Sequence, residues 1–75
     1  QEVAIEEVKS EITGKVWKIE SEIGARLEAE DTIMIIESMK MEIPVMAQVA
    51  GILKEINIKE GDDVSEGQVI AVLEV

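Results

Sequence analysis

At 75 residues with a net charge of −10, the chain is one small domain that phosphate backbones and anionic membrane surfaces repel, so neither nucleic acid nor membrane is expected as a partner. Trp17 is the only aromatic residue, too little for a base-stacking platform, and the 47% hydrophobic content is mostly Val, Ile, Leu, Ala and Met. A domain of this size has a thin core, which an enclosed substrate pocket would deplete.

A first strand is expected over 3–8. From there to residue 27 two readings compete. Val8, Ile12, Val16, Ile19, Ile23 and Leu27 recur every three or four residues, the period of an amphipathic helix. An internal repeat decides for β instead. A slide of 37 residues takes Gly14 to Gly51, Ile19 to Ile56, Gly24 to Gly61, Ile33 to Ile70 and Glu37 to Glu74, with apolar pairs such as Val16 with Leu53 in between. The second copy carries signals foreign to a helix: Pro44, the alternating Ile56-Asn57-Ile58, and the turns Glu60-Gly61-Asp62-Asp63 and Ser65-Glu66-Gly67. Its last run, Val69-Ile70-Ala71-Val72-Leu73, is a short β-branched segment of the kind that forms a buried strand. Gly14 and Gly24 would each cost about 1 kcal/mol inside a helix.

Further strands are therefore expected over 12–20, 33–38, 42–46, 50–58 and 69–74, with short extended pieces near 26–28 and 63–65. The repeat units run from about 5 to 38 and from 42 to 75, within a single domain 1–75. Neither unit buries its own apolar face. Together they make an all-β barrel or sandwich with approximate two-fold symmetry.

Between the units lies Met39-Lys40-Met41. The sequence mirrors about Lys40, with a methionine on each side and then Ser38 and Glu42, as at a hairpin tip. The tip has no Gly or Asn, so a favoured two-residue turn is not signalled. Two readings of these residues are open. In one, the methionines fold inward as core filler and Lys40 is an ordinary solvated lysine, as Lys18 between Trp17 and Ile19 would be. In the other, flexible, polarizable methionines form a surface that partners grip around a presented amine.

Elsewhere reactive groups are few. There is no His and no Cys, which removes the usual general base, the soft metal ligands and any disulfide. No Ca²⁺-loop pattern is present either. No catalytic residue and no metal ligand is expected; chemistry has to come from outside the chain. No apolar run nears the roughly 18 residues of a membrane span and no signal peptide opens the chain. The absence of cysteine fits a reducing cytoplasm, and a start at Gln1 reads as a trimmed or excised chain.

Glu37-Ser38-Met39-Lys40-Met41-Glu42 closely resembles the Glu-Ala-Met-Lys-Met motif of biotinyl domains, the biotin carboxyl carrier family. The likeness extends over most of the chain, through Gly14, Val16, Ile19 and Gly24 in the first half and Gly51, Leu53, Gly61-Asp62, Val64 and Glu66-Gly67 in the second. It implies a flattened barrel of two four-stranded sheets with the modified lysine on the hairpin joining the halves. It also implies that Lys40 receives biotin covalently, with Met39 and Met41 as the flanks that a biotin protein ligase reads. A lysine amine is almost wholly charged at neutral pH, so the ligase must favour the uncharged nucleophile.

The implied role is a non-catalytic carrier between biotin carboxylase and carboxyltransferase sites of an acyl-CoA carboxylase. Acetyl-CoA carboxylase, and with it fatty acid metabolism, is one such setting. A lipoyl domain shares the architecture, but its tip typically reads Asp-Lys-Ala. An unmodified interaction module of the same fold is the alternative from another class. Two positions depart from the family pattern. Ala25 stands where Asp usually follows the glycine, and Glu30 occupies the place of Gly67 in the twin unit, so that turn is expected to take another shape. The protruding thumb loop of some carriers has no room between the repeats.

Overall fold

Strands, with no helix among them, make up the regular structure of residues 4–75, the part of the chain described by the computed structural model. They are β1 (Ile5–Lys9), β2 (Gly14–Ile19), β3 (Arg26–Leu27), β4 (Thr32–Ser38), β5 (Met41–Met46), β6 (Gly51–Ile56), β7 (Asp63–Val64) and β8 (Val69–Glu74). The strand expected from residue 3 has that residue outside the described part and continues to Lys9. Those expected over 12–20 and 50–58 are shorter at both ends. Before β2 the cause is Ser10, whose buried hydroxyl donates to the Ile12 carbonyl at 2.6 Å and accepts from the Ile12 amide at 3.3 Å. Such a serine turn competes with strand pairing.

The strands form two antiparallel four-stranded sheets, ordered β1-β8-β6-β3 and β5-β4-β2-β7. Advancing the first sheet by one repeat, β1 to β5, β8 to β4, β6 to β2 and β3 to β7, reproduces the second. The halves are therefore interleaved. Each contributes its short third strand to the sheet of the other, β3 beside β6 and β7 beside β2. Gly24 donates to the Leu53 carbonyl at 2.7 Å and Leu53 to that of Ala25 at 2.9 Å; in the twin place Gly61 donates to Val16 and Val16 to Asp62, both at 2.8 Å.

The core follows the same symmetry. Val16 and Leu53, Leu27 and Val64, Ile33 and Ile70, Met34 and Ala71, and Ile36 and Leu73 are buried pairs one repeat apart. Of the helical spacing in 8–27, Val8, Val16 and Leu27 are buried from three separate strands while Ile23 is 62% exposed, so the stripe is no single helical face.

Glu30 overturns an expectation. Its φ is +76°, beside +87° for Gly67, so the two turns share one shape despite the missing glycine. The surrounding bonds impose it. Glu30 donates to the Ala47 carbonyl at 2.7 Å, Ala47 donates to that of Asp31 at 2.8 Å, and the Asp31 carboxylate accepts from the Glu28 amide at 2.9 Å. The twin turn repeats these bonds with Gly67, Ser10 and Gln68, the last accepting from Ser65 at 3.0 Å. Several hydrogen bonds at about 1 kcal/mol each outweigh a left-handed residue costing about 1–2 kcal/mol.

Candidate functional site

β4 and β5 pair from Thr32 opposite Met46 to Ser38 opposite Met41, with one register shift between Thr32 and Met34, and leave a turn of two residues, Met39 and Lys40. Their φ angles, +53° and +65°, are both left-handed, as in a type I′ turn. The hairpin expected here thus closes through a two-residue turn that the local residues do not signal. Glycine or asparagine makes such a turn easy, but a ladder held by buried Ile33, Met34 and Ile36 imposes it on Met and Lys as well. The primed turn also matches the right-handed twist of its strands.

The centre of the hairpin consequently lies between Met39 and Lys40, not on Lys40. Met39 is in the loop and 87% exposed, whereas Met41 opens β5 and is 57% exposed. Neither serves as core filler, and Lys40 is exposed between them. Lys18 is exposed too, but it lies inside β2 opposite Ile35, laddered on the flat of a sheet. Only Lys40 of the two projects from a turn.

The base of the hairpin is fastened by residues that the motif alone does not single out. Ser38 donates its hydroxyl to the Thr13 carbonyl at 3.0 Å, and the Thr13 hydroxyl accepts the Glu66 amide at 3.1 Å. Gly14 follows, so close to β4 that a side chain there would meet the Glu37 carbonyl and lie 2.9 Å from Ile36 Cγ2. The match of Gly14 with Gly51 in the repeat signals this contact; nothing local signals Thr13 or Ser38. The tip is thus a stiff projection.

Its electrostatics are uneven. Glu42 faces Glu37 across the strands, Glu37 faces Lys15, and Lys15 pairs with Asp63 at 3.6 Å. Like charges placed opposite each other weaken a ladder, so this acidic pair costs the fold a little at the foot of the tip. The arrangement offers one accessible amine and two exposed thioethers. Among the described residues, no three acidic side chains gather as metal ligands.

Residues 3–73 match the family described as "Biotin-requiring enzyme". The "Biotin/lipoyl attachment protein" of Bacillus subtilis (strain 168) is 44% identical over 63 residues, 84% of this chain and 86% of that protein. The "Biotinylated protein TB7.3 homolog" of Mycobacterium leprae (strain TN) is 40% identical over 68 residues, 91% and 96% of the two chains. Among solved structures, the urea carboxylase of Kluyveromyces lactis superposes with a TM-score of 0.90 at 40% identity, over 93% of this chain and 6% of that one.

Proposed function

The chain belongs to the biotin/lipoyl family of biotin-requiring enzymes, and from that membership we propose that it is a biotin carboxyl carrier whose point of attachment is Lys40. The observation that carries this reading is the exposed amine on a two-residue turn between exposed methionines. Lys40 would lose a proton and form an amide bond to the carboxyl carbon of biotin, the departing oxygen leaving on a group derived from the ATP of a biotin protein ligase. Met39 and Met41 present apolar, adaptable surface to that ligase. Bound biotin supplies the one chemistry that the side chains lack, carrying a carboxyl group from a biotin carboxylase site to a carboxyltransferase site. The protein contributes reach, a stiff platform and high local concentration.

A carboxylase among the solved relatives supports those two partners. The acceptor is the finer part of the proposal: an acyl-CoA follows from the motif's resemblance, and the setting is cytoplasmic.

Coexpression with a biotin protein ligase, followed by intact-mass measurement, tests the reading. The expected result is one biotin increment that disappears in Lys40→Arg and persists in Lys18→Arg. No increment, or one that survives Lys40→Arg, overturns it. A lipoyl increment on exposure to a lipoate ligase, with none of biotin, would assign the lysine to lipoyl transfer instead.

A further inference from the structure

The chain has no cysteine, so the thioethers of its four methionines are all the sulfur it offers to an oxidant. The fold ranks them steeply. Met34 is fully buried in β4, Met46 is 43% exposed at the end of β5, Met41 is 57% exposed and Met39 87%. The two most open are the neighbours of Lys40. Met39 is also held there: its φ of +53° belongs to a turn that the β4–β5 ladder closes immediately below it, at Ser38 and Met41.

We propose that Met39, and Met41 after it, are sites of reversible oxidation by hydroperoxides, and that their sulfoxides close the tip to the ligase. The second half of this rests on Lys40 being the residue modified. In the oxidation the thioether sulfur attacks the terminal oxygen of the peroxide and the O–O bond breaks. The attacked oxygen passes its proton to the departing one, which leaves as water or an alcohol. Sulfur gives up an electron pair and the peroxide takes it. A methionine sulfoxide reductase reverses the step: its thiols become a disulfide and the oxygen leaves as water, with one enzyme for each sulfoxide epimer.

The consequence follows from what the thioethers offer. Exposed methionines present an apolar, adaptable surface to whatever closes around the amine. A sulfoxide puts a strong hydrogen-bond acceptor in its place, and burying that acceptor unpaired weakens docking by about tenfold. The sulfoxide carries no net charge and leaves the Lys40 amine untouched, so the effect falls on docking and not on the nucleophile. Met34 sits shielded in the core and keeps its thioether, so the fold outlasts the oxidation. That contrast separates a switch at the tip from general damage.

The test has two stages. Folded protein is first treated with graded hydrogen peroxide and mapped by peptide mass spectrometry. Oxygen should be added at Met39 and Met41 ahead of Met46, with Met34 unchanged; Met39 and Met41 reacting no faster than Met46 overturns the site, whatever Lys40 carries. With the peroxide removed, ligation of biotin to the oxidised protein should show a KM for the carrier about tenfold higher at little changed kcat. Incubation with both sulfoxide reductases should restore it. Each variant is compared with itself before treatment. In Met39→Leu/Met41→Leu, whose starting rate is itself altered, peroxide should change nothing further, whereas in Met46→Leu the loss should remain in full. A loss that persists in the double leucine variant, or no loss once both methionines are oxidised, overturns the switch and leaves the carrier reading standing. Untreated protein that never gains the biotin increment removes the carrier reading and the switch with it, while the mapped oxidation order stands.

Discussion

Among the described residues, three side chains take left-handed backbone where glycine would be the easier residue: Glu30, Met39 and Lys40. The first is a matter of stability alone. Glu30→Gly relieves about 1–2 kcal/mol of backbone strain and returns about 0.4–1 kcal/mol through the freer unfolded chain. A net gain of roughly 0.5–1 kcal/mol is expected, seen as a higher urea midpoint at constant slope. A midpoint that falls would mean that the Glu30 side chain contributes more than its exposed position indicates. At Met39 and Lys40 the same cost falls on the residues that the proposed chemistry uses. Strain held at such a place by a firm surround is a common mark of a preorganised site. It keeps the lysine at the apex of the turn.

At the scale of strands, closeness at the hairpin base decides how well the tip is held. Gly14→Ala pushes a methyl into the Glu37 carbonyl and Ile36, and overpacking of this kind costs about 1–3 kcal/mol. Gly51→Ala does the same 2.7 Å from the Glu74 carbonyl, in the twin half and away from the tip. Both variants are expected to lose similar stability by urea unfolding, but only Gly14→Ala should slow biotinylation by the ligase. Equal ligation rates in the two would show that the base of the hairpin does not govern presentation of Lys40. The register also explains why the motif misleads when read alone. Its letters mirror about Lys40, whereas strand pairing joins Ser38 to Met41 and Glu37 to Glu42.

Across the whole molecule, the interleaved halves share one core and stand or fall together. Leu53→Ala, at a fully buried position, should cost about 2–5 kcal/mol. Total stability for a chain this size is on the order of 4–11 kcal/mol. Urea unfolding should therefore shift to a much lower midpoint yet keep a single transition seen by both Trp17 fluorescence, reporting on the first half, and circular dichroism. Two separated transitions would refute a shared core. The body is long, 43 Å by 18 Å by 17 Å. The turn leading into β8 lies beside Thr13 at the lysine end; the strand runs away from it, and the Val75 amide meets the Ala4 carbonyl at 2.9 Å at the far end. A tether placed there would leave Lys40 clear at the opposite end.

The amino-acid sequence by itself determined that the chain has neither His nor Cys, that its two halves are copies, and that one lysine stands between them. Composition and a 37-residue slide need no coordinates. The β character of 8–27 was also legible, because Pro44 and the paired glycines speak against helix in one copy and the repeat extends the same exclusion to the other. Only the tertiary structure decided the left-handed turns at Glu30 and at Met39-Lys40 and the exchange of β3 and β7 between halves. Local preference favours glycine or asparagine at positive φ, and it is overruled by hydrogen bonds from segments far away in the chain, such as Ala47 to Glu30 and Thr13 to Ser38. Contacts of that kind leave no trace in the neighbouring letters.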